Sequence, residues 1–80
     1  MKVRINVTQR DIERGGLWDV ERCPLARAFR RHYKEATVGC WDVSLGKLGG
    51  YALPDSAKQF RLRFDDGKKV RPFSFDMEVP

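Results

Sequence analysis

The chain has 80 residues, of which 41% are hydrophobic and 11% aromatic, and its formal net charge is +5 at pH 7. A chain of this length can form one domain with a small core, and its composition is that of a folded protein. Its two cysteines are too few for a disulfide scaffold, and no stretch approaches the roughly 18 apolar residues of a membrane span. We therefore expect one reduced, cytoplasmic domain over residues 1–80.

The chain opens on a predicted strand followed by a short predicted helix. Apolar residues occupy alternate positions of the first segment, namely Val3, Ile5 and Val7. This period of two is typical of a strand with one buried face. Thr8 is a suitable N-cap, and Asp11 can complete a capping box with it. The pattern predicts a helix from about residue 9 to residue 14, ended by Gly15 and Gly16.

The segment 24–36 has the clearest helical period of the chain. One largely apolar face contains Leu25, Ala28, Phe29, His32 and Tyr33. The opposite face, which we call the basic stripe, contains Arg27, Arg30, Arg31 and Lys34. Pro24 suits the first helical position, and the helix should end near residues 34–36. We predict that Phe29 and Tyr33 enter the core while the basic stripe is open to solvent. Trp18, in the preceding connection, is predicted to be an anchor on the core.

The next region predicts a β-hairpin. Residues 37–45 are rich in strand formers, and alternate positions would share one face: Thr37, Gly39, Trp41, Val43 and Leu45. Residues 46–50 are rich in glycine and predict a turn with a mobile tip, after which residues 51–53 return as a short partner strand.

The segment 54–66 fits two structures. As a helix it places Leu53, Ala57, Phe60 and Phe64 on one face. As a strand it alternates Phe60, Leu62 and Phe64 with polar residues and turns at Asp66-Gly67. We favour the helix because Pro54 and the acids beside it suit a helix start and Gly67 suits the position after a helix end.

The last segment predicts a strand, because aromatic and apolar residues alternate with polar ones from Phe73 to Val79. The predicted order is strand, helix, helix, strand, strand, helix, strand. Such an order predicts a single small α+β domain, with helices packed on one face of a mostly antiparallel sheet.

Several motifs, taken together, resemble small proteins encoded by bacteriophages and prophages. These motifs are the D-I-x-x-G turn capped by Thr8, the C-P-x-A-x-A helix start at Cys23, the F-D-x-G stop at Phe64 and the ending P-F-S-F at Pro72. The resemblance covers nearly the whole chain and implies a phage accessory protein in the cytoplasm of a bacterial host. Some phage proteins of this size bind and block host defence machinery, anti-CRISPR proteins among them, so the resemblance implies a binding function and supplies no catalytic residues.

No residue pattern predicts an enzyme. Cys23 and His32 are nine residues apart on one predicted helix, which separates them by more than about 10 Å along its axis and is too far for a nucleophile and its base. Cys40 could approach His32 from another element, but its spacing does not indicate this. One histidine, two cysteines and scattered carboxylates lack the spacing of a zinc or calcium site. We predict no catalytic residue, no metal site and no cofactor.

The basic stripe is the candidate binding site of the sequence. Arginine side chains suit carboxylate and phosphate groups, and further cations could join the stripe if the elements lie side by side: Arg61, Arg63, Lys68, Lys69 and Arg71. An ordinary charged helix face is the alternative. The leading hypothesis is a non-enzymatic protein that docks on a host protein or nucleoprotein, and the second is direct contact with a nucleic-acid backbone. The sequence leaves the oligomeric state open.

Overall fold

A computed structural model describes residues 2–79. Its helices are α1 Gln9–Arg14, α2 Pro24–Arg30 and α3 Asp55–Asp65. Its strands are β1 Lys2–Val7, β2 Thr37–Val38, β3 Asp42–Ser44, β4 Gly50–Ala52 and β5 Phe73–Glu78, and a 3-10 turn spans Gly46–Leu48. The predicted α+β class is confirmed. The strands differ from the prediction in one respect, because they form two antiparallel sheets, one of β1 and β5 and one of β2, β3 and β4.

The two-stranded sheet joins the first and last strands of the chain. β1 and β5 pair antiparallel, with Ile5 opposite Phe75 and Val7 opposite Phe73. The outer face is polar, and there Arg4 forms an ion pair with Asp76 at 3.2 Å. The inner face is apolar, as the alternation predicted for both segments, so this sheet has one side for the helices.

Both long helices pack against that inner face through aromatic rings. Phe29 of α2 lies 5.8 Å from Phe75, measured between ring centroids. Phe60 of α3 lies 4.8 Å from Phe73 in the same way. Aromatic rings at these separations attract each other in tilted or offset arrangements, and this adds to the stabilisation from their burial. The core therefore lies between α2, α3 and the sheet of β1 and β5, and it continues to the second sheet through buried Val38 and Val43.

The capping box of α1 forms as the sequence predicted. The backbone N–H of Asp11 donates to Thr8 Oγ1 at 3.2 Å, and the backbone N–H of Thr8 donates to Asp11 Oδ2 at 3.0 Å. Both N–H groups would otherwise lack an intrahelical partner, so the two bonds fix the first turn of this six-residue helix.

The strand predicted over residues 37–45 was wrong as a single element. Residues 39–41 turn the chain back, so that β2 and β3 pair with Val38 opposite Val43. A side chain at position 39 would lie 2.9 Å from an Asp42 carboxylate oxygen, and glycine avoids that clash. The predicted common face therefore does not exist, because Trp41 lies at the tip of this turn. The turn predicted over residues 46–50 does connect two strands, because the 3-10 turn Gly46–Leu48 lies between β3 and β4.

Helix α2 ends at Arg30, about one turn earlier than predicted. The next residues continue as turns, with the N–H of Tyr33 donating to the carbonyl of Phe29 at 2.8 Å. The inward positions of Leu25, Ala28 and Phe29 are confirmed, since all three are buried. His32 is exposed, because the helical period that would have turned it inward has ended.

The segment 54–66 is a helix, so the favoured alternative is confirmed. Ala57, Phe60 and Phe64 are buried along one side of α3, whereas Leu62 is exposed. Gly67 follows the helix with φ of 76°. The backbone N–H of Gly67 donates to the carbonyl of Phe64, and the backbone N–H of Lys68 donates to the carbonyl of Arg63. This pair of bonds is the Schellman arrangement that ends a helix.

Candidate binding surfaces

The arginines of the predicted basic stripe contact acidic groups of the same chain. Arg31 donates two hydrogen bonds to the Asp11 carboxylate, at 2.8 and 2.7 Å, and a third to the backbone carbonyl of Asn6. Arg27 Nε lies 3.4 Å from Asp11 Oδ1. The Asp11 side chain is 1% exposed. A buried carboxylate of the small helix α1 is thus held by two arginines from α2 and the turn after it, which ties these segments together.

The contact with Arg31 lowers the pKa of Asp11. Burial acts to raise the pKa of Asp11, but hydrogen bonds from Arg31 and Thr8, with the charge of Arg31, outweigh it and hold the pKa below its ordinary value. The hydrogen bond to Asp11 correspondingly raises the pKa of Arg31. Both groups are therefore charged at neutral pH, and each favours the charged form of the other.

Arg30 and Lys34 have different roles in the stripe. Arg30 Nε donates to the backbone carbonyl of Ala36 at 2.8 Å, and the same guanidinium lies 3.9 Å from Glu21. Lys34 is exposed and lies outside the helix, so it does not share a helical face with the arginines. Arg27, Arg30 and Arg31 do come together around one shallow groove, which Arg22 and Glu21 also line.

The prediction of an arginine face open to solvent was therefore wrong in part. Arg27, Arg30 and Arg31 keep about a third to a half of their side chains exposed, but each has a partner in the fold. The sequence did not identify the partner, because Asp11 stands on α1 as a capping residue and only folding places it below α2. An external ligand at this groove would have to compete with Asp11 and Glu21.

Arg61, predicted as an additional surface cation, is instead buried. Its Nε donates to Asp65 Oδ2 at 2.7 Å, one turn further along α3. Its Nη1 donates to the backbone carbonyl of Val38 and lies 3.3 Å from Cys23 Sγ. Asp65 also accepts the backbone N–H of Trp18 at 2.9 Å. This buried cluster joins α3 to β2, to the start of α2 and to the connection before it.

Cys23 belongs to that cluster as a structural residue. Its sulfur accepts the backbone N–H of Ala26 at 3.4 Å and so caps α2. Burial raises the pKa of the Cys23 thiol, which keeps it protonated and makes it a poor nucleophile. His32, the only residue that could have served as its base, is exposed on the turn after α2 and lies beside Tyr33, with ring centroids 6.3 Å apart.

A second group of cations lies on α3 and on the loop that follows it. We call Arg63, Lys68, Lys69 and Arg71 the basic loop cluster. All four are exposed, and within the described residues 2–79 none of them forms an ion pair. The Schellman stop at Gly67 turns the chain away from α3, so that Lys68 and Lys69 project from the surface at the end of the helix.

Two shallow grooves flank this cluster. The first, of about 530 Å³, lies between α3 and the loop and is lined by Phe60, Phe73 and polar side chains of α3. The second, of about 480 Å³, lies between the loop and α1, with Ile12, Leu17 and Phe64 among its lining residues. Neither groove is lined by an acidic residue. Both therefore combine an apolar wall with positive charge that forms no ion pair within residues 2–79.

The two tryptophans are exposed, contrary to the prediction that Trp18 anchors its connection and that Trp41 lies on a strand face. Trp18 is 63% exposed and Trp41 is 68% exposed. Trp18 has a φ of 56°, which is uncommon for a bulky residue. The hydrogen bond from its N–H to buried Asp65 holds this conformation. Leu17 beside it is also exposed and lines the second groove.

Comparison with known proteins found no matching family model, curated protein or solved structure. Over residues 2–79, no group of three or more His, Cys, Asp or Glu side chains is placed to hold a metal ion. None of the helices in that range has the length and apolar character needed to span a bilayer.

Proposed function

We propose that this protein is a non-enzymatic phage or prophage accessory protein that docks on a host protein or nucleoprotein. The observation that carries the proposal is the second groove, in which exposed Leu17 lies beside cations that form no ion pair within residues 2–79. We define the docking face as Leu17, Lys68, Lys69 and Arg71 of this groove, together with Trp18, the exposed residue that follows Leu17 in the chain.

The composition of the docking face suits a protein partner with an acidic, partly apolar surface. Tryptophan and arginine are the residues that most often dominate binding energy at protein interfaces. Lys68, Lys69 and Arg71 line the same groove as Leu17, so an apolar side chain of the partner can enter the groove while its carboxylates meet the cations around it. Charge complementarity of this kind increases the rate of encounter as well as specificity.

The basic stripe is a weaker candidate for docking, because its arginines already have acidic partners. We therefore propose the loop after α3 as the docking surface in place of α2. The proposed partner is the one expected from the sequence, a host protein or nucleoprotein. The resemblance to phage-encoded proteins supports a target in the bacterial host. We propose specifically that this target belongs to the host defence machinery.

The test is affinity capture from the bacterial host, followed by a binding titration with the purified captured partner. The variant Lys68→Glu/Lys69→Glu should weaken that binding at least tenfold, because reversed charges repel the acidic partner. The matched control is Lys34→Glu/Lys47→Glu, which changes the net charge equally at two exposed lysines away from the docking face. Equal loss of binding in both variants would show that only net charge matters and would refute the docking face.

Direct contact with nucleic acid is the second candidate function. The observation in its favour is the first groove, which is lined by three cations, Arg63 from α3 and Lys69 and Arg71 from the loop. Such contact predicts binding that weakens steeply between low and physiological salt, because phosphate contacts release counter-ions. A flat titration with DNA and RNA at low salt would remove this candidate.

A further inference from the structure

The first groove has the features of a site for a single-stranded nucleic acid, which would make the second candidate function specific. Its apolar wall is the ring of Phe73, which packs on the buried ring of Phe60 with a distance of 4.8 Å between ring centroids and an interplanar angle of 31°. Phe73 is only partly buried, so part of this wall faces the groove. Aromatic surface of this kind is what unstacked bases pack against in proteins that bind single strands.

Helix α3 supplies the polar side of the groove. Ser56, Gln59 and Arg63 lie at helical spacings of three and four residues and line the groove together. The seven residue steps from Ser56 to Arg63 correspond to about 10 Å along the helix axis. Ser56 and Gln59 offer hydroxyl and amide groups that can donate to and accept from base edges, and Arg63 offers a guanidinium for phosphate.

The loop adds positive charge to the groove. Lys69 and Arg71 line the groove together with Arg63, and Val70 follows Lys69 in the same lining. These three cations are exposed and form no ion pair within residues 2–79. No acidic residue of the described range lines the groove, so its charge favours a phosphate ligand.

The dimensions favour a single strand over a duplex. A groove of about 530 Å³ is within the range of about 300–1,000 Å³ typical of small-ligand pockets. In a duplex the bases are stacked inside, so a duplex could touch the projecting lysines but could not place a base against the aromatic wall. We propose that this groove binds a single-stranded nucleic acid, with phosphates on Arg63, Lys69 and Arg71 and a base packed against the exposed part of Phe73.

The test is fluorescence anisotropy with a labelled oligothymidine and an oligouridine of about ten nucleotides and a duplex of equal length, over a range of salt concentrations. Both single strands should bind more tightly than the duplex, and the affinity should fall steeply with salt. Arg63→Gln should weaken single-strand binding about tenfold and reduce the salt slope by about one. Lys34→Gln is the matched control, because Lys34 is an exposed cation outside the groove, and it should leave binding within about twofold.

A second variant tests the groove without removing charge. Ser56→Leu places a larger, non-aromatic side chain at an exposed groove position, so it should obstruct the groove and weaken single-strand binding about tenfold while the thermal unfolding midpoint is kept. Amide NMR shifts on titration should concentrate at Ser56, Gln59, Arg63 and residues 68–73.

The outcomes separate this inference from the function on which it rests. Equal affinity for duplex and single strand, with Ser56→Leu harmless, would overturn the groove and leave a general phosphate-binding surface. Absence of binding to any of the probes at low salt would overturn both the groove and the second candidate function. Neither result would bear on the docking of a host protein at Leu17 and Trp18.

Discussion

The basic stripe and the basic loop cluster contain the same number of cations but differ in what those cations do. Arg27 and Arg31 surround buried Asp11, and Arg30 contacts the backbone of Ala36. The residues of the basic loop cluster have no such partner within the described range 2–79. In the first region three of the four cations contact groups of the same chain, and in the second none forms an ion pair within residues 2–79.

The difference shows that charge spacing alone does not identify a binding surface. A cation that contacts a buried carboxylate is oriented and partly neutralised, so its removal affects folding before it affects binding. A cation without a partner contributes little to stability and can be changed freely. The comparison can therefore be tested by measuring stability and binding on variants of both regions.

The largest effect on stability is expected from the buried cluster around Arg61. Arg61→Met should lower the free energy of unfolding by about 3–5 kcal/mol, because Asp65 would be left as a buried charge without its partner. Urea denaturation followed by circular dichroism measures this. The neighbouring variant Arg63→Met, at an exposed position, is the control and should change the value by less than about 0.5 kcal/mol.

The double variant Arg61→Met/Asp65→Leu separates charge from packing. It should recover much of the lost stability, because no unpaired charge would remain in the interior. If the double variant is as unstable as Arg61→Met, the cost comes from lost packing and backbone contacts, and the account of an uncompensated carboxylate is wrong.

The next effect concerns Asp11, the partner of the basic stripe. Asp11→Asn should cost about 2 kcal/mol at neutral pH, because hydrogen bonds to a charged carboxylate are replaced by weaker ones. Asp66→Asn is the control, since Asp66 is exposed and forms no ion pair within residues 2–79. Equal urea midpoints for the two variants would contradict a stabilising role for Asp11.

The pH dependence of stability checks the same contact independently. The pKa of Asp11 is lowered by folding, so the unfolded chain binds the proton more tightly than the folded protein does. The stabilising contribution is therefore complete above the unfolded pKa of about 4 and is lost as the pH falls through the lower folded pKa. Wild type should lose stability over this acid range, and Asp11→Asn should lose measurably less.

The smallest effect on stability is expected at the basic loop cluster. Lys68→Glu/Lys69→Glu should change the free energy of unfolding by less than about 0.5 kcal/mol. Arg27→Glu/Arg31→Glu, an equal change of charge in the basic stripe, should destabilise the fold by several times more, because two glutamates would face buried Asp11. Thermal unfolding of both variants in one buffer decides the comparison, and equal midpoints would refute the distinction between the two regions.

The sequence predicted those parts of the fold that depend on residues close together in the chain. Thr8 and Asp11 specified the capping box, Gly67 specified the end of α3, and the alternation of apolar residues specified β1 and β5. The strand over 37–45 was wrong because the chain turns at residues 39–41 to pair Val38 with Val43, and strand composition does not reveal that turn. The length of α2 was overestimated because a periodic pattern does not show where the backbone leaves the helix.

The candidate sites were predicted less well than the fold. The sequence analysis recognised the basic loop cluster only as additional charge. Its four cations, Arg63, Lys68, Lys69 and Arg71, stand within nine residues that contain two acids, Asp65 and Asp66, and this excess of positive charge was a signal in the sequence. The exposure of Trp18 had no such signal, because it depends on a hydrogen bond to Asp65, 47 residues away.

What the sequence by itself determined is the set of local elements, the α+β class and the excess of positive charge. These follow from periodicity, capping and composition, which act within a few residues. Only the tertiary structure decided which charges remain free, because a buried carboxylate such as Asp11 selects its arginines by position in space. Ion pairing and burial are contacts between distant segments, and they alone distinguish a cation that supports the fold from one that can meet a partner.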